Sequence, residues 1–310
     1  MINSNNQYKD FTKRVSNIHV IHKKIERIWS MLDSMRDNHN IGDKQNSPRH
    51  LFIMGISGVG KSRMMEKYAD INPGVIYKDQ DDTEIDIKPV VYMEMPHPFT
   101  ILEFYQSIIT ALNAPNLPGR PTIGRVKRQA FHLLEFQKVE MLIFDELDYI
   151  MESKSVKPME AMEAIKHVSN MAKVSVVCVG SLKIEELLML DFQYFRRYPK
   201  VKLEGFSECD EEFCLLLKGI ENQINSPIQL GLDNLEKGIP QLLFAMCKGF
   251  VGILTPILQE AFRISGVYLD DFDDYTKAKV TVENLSKAYE NIVGDINEEE
   301  FMKIVGSTLK

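Results

Sequence analysis

Leu51-Phe52-Ile53-Met54 runs directly into Gly55-Ile56-Ser57-Gly58-Val59-Gly60-Lys61-Ser62, and a helix-spaced segment to Ala69 follows. Few chains can place Gly-x-x-x-x-Gly-Lys-Ser between a buried strand and a helix for any purpose other than holding phosphate. The glycines let backbone N–H groups turn inward around the phosphates. Lys61 then reaches the β- and γ-phosphates, and the Ser62 hydroxyl meets Mg²⁺. Gly55, Ser57, Gly58, Val59, Gly60, Lys61 and Ser62 are the expected phosphate-binding residues. The competing reading is a chance glycine-rich turn before a helix, and the flanking strand and helix weigh against it.

The rest of the chain supplies the frame this loop needs. Val90-Val91-Tyr92-Met93, Met141-Leu142-Ile143-Phe144, Val174 to Val179 and Val201-Lys202-Leu203 are short apolar runs. Between them, Phe99 to Leu112, Val126 to Phe136 and Pro158 to Met171 carry apolar residues at helical spacing. Strands alternating with helices imply an α/β fold, a parallel five-stranded sheet covered on both faces. Strand signals stop after Phe206. Glu211 to Ile224, Leu232 to Cys247, Gly252 to Ile264, Thr281 to Val293 and Glu298 to Leu309 read as helices. The expected division is a helical segment and loop over 1–48, an α/β domain over 49–205, a small helical domain over 206–294 and a tail helix over 295–310. Within the first segment, Ile18 to Arg36 has helical spacing through Ile21, Ile25, Ile28, Trp29 and Leu32. Tyr77 to Pro89, with Asp79, Asp81, Asp82, Glu84 and Asp86, reads as a solvated acidic loop rather than a cation site.

Two further features belong with the loop. The strand Met141 to Phe144 ends in Asp145-Glu146, which delivers one carboxylate to the Mg²⁺ shell. The Glu146 carboxylate, one residue on, can orient and deprotonate an attacking water. That pairing favours hydrolysis over transfer to a small acceptor, which would call for an acceptor pocket and a covering lid. Gly180-Ser181 ends the next strand. Ser181 is a candidate sensor of the γ-phosphate or holder of the water, and a plain strand-ending turn is the alternative. Arg196 and Arg197, among Phe192, Tyr194, Phe195 and Tyr198, are either a surface patch or a finger inserted into a neighbour's site, and sequence does not choose between the two arginines.

Composition limits the setting. The 310 residues are 44% hydrophobic and 26% charged with net charge −7, which suits a globular chain and argues against bulk attraction to nucleic acid. No apolar run reaches the roughly 18 residues of a membrane helix, and the polar N-terminus lacks a secretory apolar core. Cys178, Cys209, Cys214 and Cys247 form no Cys-x-x-Cys pair, so reduced thiols of a cytosolic protein are expected. His19 and His22 have no second ligand pair nearby and read as surface residues.

In this order, the loop, Asp-Glu pair, sensor, arginine pair and helical lid resemble an AAA+ ATPase. More narrowly, "GISGVGKS", "MLIFDELDYI", "VVCVGSLKIEELLMLDFQYFRRYPKVKLEGF" and "CKGFVGILTPILQEAF" followed by "VTVENLSKAY" resemble the TniB/TnsC transposition regulators, over roughly Ile18 to Ile292. The resemblance implies a P-loop AAA+ domain with a small C-terminal helical lid, and Mg²⁺-dependent ATP hydrolysis in the bacterial cytoplasm. It implies a homo-oligomer, ring or helical filament, on double-stranded DNA. It also implies two kinds of partner: a transposase, and a TniQ-type target-selection protein, in some systems coupled to a CRISPR effector. By motif match, Asp145 and Glu146 take the magnesium and water roles, Ser181 the sensor position, and Arg196 or Arg197 the finger. One departure stands out. The family lid often reads Gly-x-x-Gly-Arg, whereas Gly249-Phe250-Val251-Gly252 precedes Ile253 here. Lys248 or Arg263 would substitute weakly for the lid arginine, and slow intrinsic hydrolysis is the expectation.

DNA contact in an acidic chain must be local and repeated along an oligomer. Arg120-Pro121-Thr122-Ile123-Gly124-Arg125-Val126-Lys127-Arg128 is the best stretch. A Gly/Pro loop carries Arg120, Arg125, Lys127 and Arg128 into a helix start, with Thr122 and its backbone beside them. A solvated surface loop is the alternative. His97 to Thr100 is a weaker candidate. Other functions share the ATP site: a DNA-independent, STAND-like signalling switch, and a helicase or clamp-loader helper. The switch ordinarily carries sensor or repeat domains, and these 310 residues show none.

Overall fold

The apolar runs of the sequence become the strands of one buried sheet. The computed structural model describes residues 2–41, 48–78, 80–82 and 84–294. The chain opens with α1 (Ile2–Ser16), α2 (Lys23–Ile41), β1 (His50–Met54), α3 (Lys61–Asp70), β2 (Val75–Lys78), β3 (Glu84–Ile87) and β4 (Val90–Glu94). It continues through α4 (Ile101–Ala111), α5 (Ile123–Phe136), β5 (Met141–Asp145), α6 (Asp148–Glu152), α7 (Pro158–Ala172) and β6 (Ser175–Gly180). Next come α8 (Glu185–Leu188), α9 (Phe192–Arg197), β7 (Lys200–Lys202), α10 (Glu211–Ile224), α11 (Ile239–Cys247), α12 (Val251–Ile264) and α13 (Val282–Val293). Among the described residues, one compact unit takes in Arg27–Ser57 and Lys61–Leu203. The other takes in residues up to Glu26, Gly58–Gly60, and those from Glu204 onward.

The first unit is built on a five-stranded sheet in the order β4-β5-β6-β1-β7. Every pairing in it is parallel. Strands β1, β5 and β6 are buried at every position, as central strands covered on both faces must be. Their core includes Phe52, Met54, Leu142, Phe144, Val176 and Cys178, packed with Phe104 and Ile108 of α4 and Ile165 of α7. The parallel register sets all the strand C-termini at one end, and there the chain turns out of β1, β5 and β6.

Three features of this unit differ from the sequence reading. Within Tyr77 to Pro89, expected as an acidic loop, Tyr77–Lys78 and Glu84–Ile87 instead belong to the strands of the antiparallel hairpin β2–β3. Its carboxylates are matched by lysines, Lys78 with Glu84 at 3.3 Å and Lys88 with Asp86 at 3.5 Å. Asp79 lies outside the described residues. Helix α5 begins at Ile123, so Gly124 and Arg125, expected in the loop, occupy its first turn. The helix expected from Ile18 begins at Lys23. The apolar spacing before it is not a helix face: Ile21 is 44% exposed, and Ile18 packs into the second unit's core.

The second unit is helical. Polar α1, absent from the sequence reading, buries Phe11 against Phe262, Phe272 and Tyr275. Arg14 Nε donates to the Ile224 carbonyl at 2.7 Å, tying α1 to the end of α10. The segment between α1 and α2 is held by Gln223, which accepts from the His19 N–H at 2.8 Å and donates to the Asn17 carbonyl at 2.9 Å. His22 is not a surface residue. Its ring meets Phe206 edge-on at 5.2 Å, and burial lowers its pKa to about 4, with Lys24 and His19 adding to the shift. The expected helix from Leu232 to Cys247 is broken at Gly238, whose φ of 68° starts α11 afresh ahead of Pro240. Gly249 is required between α11 and α12. Its φ is +80°, and a Cβ there would lie 1.9 Å from the Phe206 carbonyl oxygen. Arg263 is bound to Glu260 of its own helix through two 2.6 Å bonds. Among the described residues no single helix is long and apolar enough to cross a membrane. The tail helix expected over 298–309 lies outside the described residues.

Candidate nucleotide-binding site

Gly55 follows β1 at the C-terminal end of the sheet, and its N–H donates to the Gly180 carbonyl at 3.3 Å, fastening the loop's start to the end of β6. Gly58 and Gly60 have φ of +76° and +100°, a region that side-chain-bearing residues rarely enter. Open space lies where their Cβ atoms would be. Among the described residues the N–H groups of Gly58, Val59 and Gly60 meet no backbone carbonyl. They precede the first turn of α3, whose own N–H groups and dipole favour an anion. A polyphosphate fits this set of unmatched donors. Lys61 Nζ donates to the Gly55 and Ile56 carbonyls at 2.8 and 3.0 Å, poised over the loop. Burial lowers its pKa, while Asp145, Asp148 and Glu146 act in the opposite sense.

Across from the loop, β5 ends in Asp145, 1% exposed. Both carboxylate oxygens are engaged: Oδ1 accepts from the Glu146 N–H at 2.8 Å, and Oδ2 accepts from the Tyr92 hydroxyl at 2.8 Å. The strand register explains the second bond. Tyr92 of β4 pairs with Ile143 of β5, so Asp145, two residues on, presents its side chain on the same face. Tyr92 has its pKa raised by burial and then by Asp145, so it stays a donor. Nothing in the local sequence marks it; only the register does.

Glu146 has φ of 54°, left-handed for a residue other than glycine, a strain found where surroundings over-determine the backbone. Its pKa is raised, first by burial and then by Asp145 and Asp148, with Lys61 opposing. A carboxyl whose pKa is raised in this way is a stronger base than a fully solvated one. Ser62, half-buried in the first turn of α3, and Asp145 offer hard oxygen ligands. Among the described residues no three His, Cys, Asp or Glu side chains are grouped to hold a metal. A magnesium ion here would take one or two protein oxygens and complete its shell with phosphate and water, its usual habit.

Ser181 follows β6 and is tied to Asp148, the first residue of α6. Its N–H donates to Asp148 Oδ2 at 2.8 Å, and its hydroxyl makes a short bond to Asp148 Oδ1. No sequence motif marks Asp148, which meets Ser181 only through the fold.

The two arginines of α9 separate clearly. Arg197 is half-buried and donates to Asn170 Oδ1 at 3.4 Å. Its charge also acts on buried His50, whose pKa falls to about 4 chiefly through burial. Arg196 is exposed, beside Phe192 and Phe195, which are 77% and 50% exposed. Of the basic stretch, Arg120, Arg125 and Arg128 are exposed, as is Thr122, the N-cap of α5, which makes no side-chain capping bond. Lys127 differs. Its ammonium lies 6.0 and 5.9 Å from the Tyr105 and Phe131 ring centres, covering their faces.

A parallel sheet in this order, a phosphate loop after its first strand and an acidic pair at the end of β5 define an AAA+ type of P-loop protein. The sequence profile of the family described as "Bacterial TniB protein" matches residues 16–208, and the chain belongs to that family. Solved structures share the fold at low identity. The ORC2 protein of Aeropyrum pernix, in ADPNP–ADP complexes, aligns with TM-score 0.63 and 13% identity over 89% of this chain and 71% of that one. CDC6P of Pyrobaculum aerophilum aligns with TM-score 0.60 and 13% identity over 93% and 72%. The Aeropyrum pernix ORC1 protein, solved with DNA, aligns with TM-score 0.55 and 14% identity over 88% and 66%. The chain thus spans about two thirds of the length of these proteins. No curated protein sequence matches it.

Proposed function

We propose that this chain is an ATP-hydrolysing regulator of transposition in the bacterial cytoplasm. It oligomerises on double-stranded target DNA and links a TniQ-type target-selection protein, in some systems with a CRISPR effector, to the transposase. ATP hydrolysis then drives disassembly. Family membership supports the setting. The observation that carries the chemistry is Lys61, held on the Gly55 and Ile56 carbonyls of the loop with Asp145, Asp148 and Glu146 acting on its charge.

Each residue has a task. The N–H groups of 58–60 and the α3 N-terminus hold the phosphates, and Lys61 leaves its carbonyl partners for the β- and γ-phosphates. Ser62 and Asp145 would hold a magnesium ion, which would supply neutralisation of the charge developing on the phosphates. Glu146, its pKa raised by burial and by Asp145 and Asp148, takes the proton of the attacking water. Arg196, exposed and without an ion-pair partner among the described residues, is the finger offered to a neighbouring subunit, while Arg197 anchors α9 to α7. The N-terminus of α5, flanked by Arg120, Arg125 and Arg128, faces DNA phosphates and reads no bases. That one solved neighbour was captured with DNA accords with this reading. Arg263, engaged by Glu260, is poorly placed to replace a lid arginine, in keeping with slow intrinsic turnover.

The test uses purified full-length protein, an ATP analogue and a double-stranded DNA fragment. Lys61→Ala is expected to lose nucleotide and DNA binding together. Glu146→Gln is expected to keep both and to stay on DNA with ATP itself. Nucleotide-dependent assembly that ignores DNA would point instead to the signalling switch.

A further inference from the structure

Asp148 closes a connection between two parts of the site that the sequence leaves separate. It lies two residues beyond Glu146 and opens α6. Its carboxylate reaches the end of β6, where Oδ2 accepts the Ser181 N–H at 2.8 Å and Oδ1 accepts the Ser181 hydroxyl. Gly180 makes the approach possible: a Cβ there would lie 2.6 Å from Asp148 Oδ2. The Gly180 carbonyl in turn accepts from Gly55 of the phosphate loop. Loop, β6 end and the turn after β5 are therefore one hydrogen-bonded series.

A serine hydroxyl has one proton to give and two lone pairs. Carboxylate oxygens only accept, so the Ser181 proton is committed to Asp148. One lone pair takes the Lys183 N–H at 3.2 Å. What remains is a single lone pair.

We propose that Asp148 is a positioning residue that fixes the polarity of the Ser181 hydroxyl. Held this way, Ser181 accepts a hydrogen from the attacking water and gives none to the γ-phosphate. The water's other hydrogen points to Glu146. The water oxygen bonds to the γ-phosphorus, the bond to the bridging oxygen of ADP breaks, and the water proton passes to the Glu146 carboxylate. Asp148 takes no part in bond making. The inference rests on the reading of this site as an ATPase.

The variants are Asp148→Asn, Ser181→Ala, Ser181→Thr and the Asp148→Asn/Ser181→Ala double. The measurements are kcat, and the affinities for ADP and for a non-hydrolysable ATP analogue. An asparagine amide facing Ser181 turns one of the two acceptors into a donor and frees the hydroxyl proton. Each single loss is expected to lower kcat about tenfold, one good hydrogen bond in the transition state. The double variant should be no worse than either single, since both remove the same oriented lone pair. Ser181→Thr should restore most of kcat. The ratio of analogue to ADP affinity should stay within about twofold in Ser181→Ala, Ser181→Thr and the double variant, none of which frees a serine proton. A Ser181→Ala protein that loses about fivefold or more of its preference for the analogue would overturn the proposal, because Ser181 would then be donating to the γ-phosphate. Multiplying defects in the double variant, or unchanged kcat in Asp148→Asn, would overturn it as well. Should Asp148→Asn fail to fold, the Ser181 pair alone decides the direction of the bond. A parent protein that binds neither nucleotide would remove the ATPase reading itself, seen in the same titration.

Discussion

Replacing Tyr92 with Phe removes one oxygen and one hydrogen bond, and the structure says what that bond holds. The Tyr92 hydroxyl is 2.8 Å from Asp145 Oδ2, and Asp145 is 1% exposed. Water has little access to the orphaned oxygen. A hydrogen bond to a charged group contributes about 1.5–3 kcal/mol, and a buried acceptor left unmatched forfeits most of that. In a unit of this size each kcal/mol moves the melting temperature about 2–4 °C. Tyr92→Phe should therefore lower Tm by about 3–12 °C. If Asp145 also faces magnesium, the cation replaces the missing donor. The gap between the variant and its parent should then narrow when Mg²⁺ and an ATP analogue are added together, and stay open with the analogue and EDTA. Differential scanning fluorimetry under these three conditions is sufficient. A variant that melts with its parent throughout would show that the bond does not restrain Asp145. A gap indifferent to magnesium would place Asp145 away from the metal.

Glu146 should impose an acid limb on the pH profile of ATP hydrolysis above the ordinary carboxylate range, since its pKa is raised by burial and by Asp145 and Asp148. The base works ionised, so activity rises with pH through that value, measurable as kcat from pH 5 to 9. The same shift means the folded state holds the proton more tightly than the unfolded chain does. Ionised Glu146 therefore costs stability above its folded pKa, and Glu146→Gln should melt higher than its parent at pH 7.5. Arg196→Ala should bind nucleotide normally yet lose DNA-stimulated turnover about 10²-fold or more, as loss of a trans finger does. Arg197→Ala should act mainly on Tm, through its bond to Asn170. Arg125→Glu with Arg128→Glu should weaken binding to any duplex sequence alike and flatten its salt dependence. Lys127→Ala, lying over Tyr105 and Phe131, should change DNA affinity less.

What the sequence revealed was local chemistry on buried strands. Leu51 to Ser62 and Met141 to Glu146 each carry a strand and its functional end within a dozen residues, and such signals survive without a partner. The features it hid depend on other segments. Tyr92 meets Asp145 through sheet register, and Asp148 meets Ser181 across two strand ends. Helix α1 has a polar sequence and is secured by Phe11 against aromatics some 250 residues away. The β2–β3 hairpin is short and acidic, and Val75, Ile76 and Tyr77 stay exposed, so no buried alternation announces it. Arg196 and Arg197 look alike in sequence and differ only in what lies beneath α9.

Under the proposed function, ATP and double-stranded DNA together assemble this chain, with Arg196 completing a neighbour's site. Negative-stain imaging of the purified protein with an ATP analogue, with and without duplex DNA, tests it most directly. Rings or filaments that need both ligands, and that still form with Arg196→Ala but no longer hydrolyse ATP quickly, are the expected result. Particles that remain monomeric with both ligands, or assemble equally well without DNA, would contradict it.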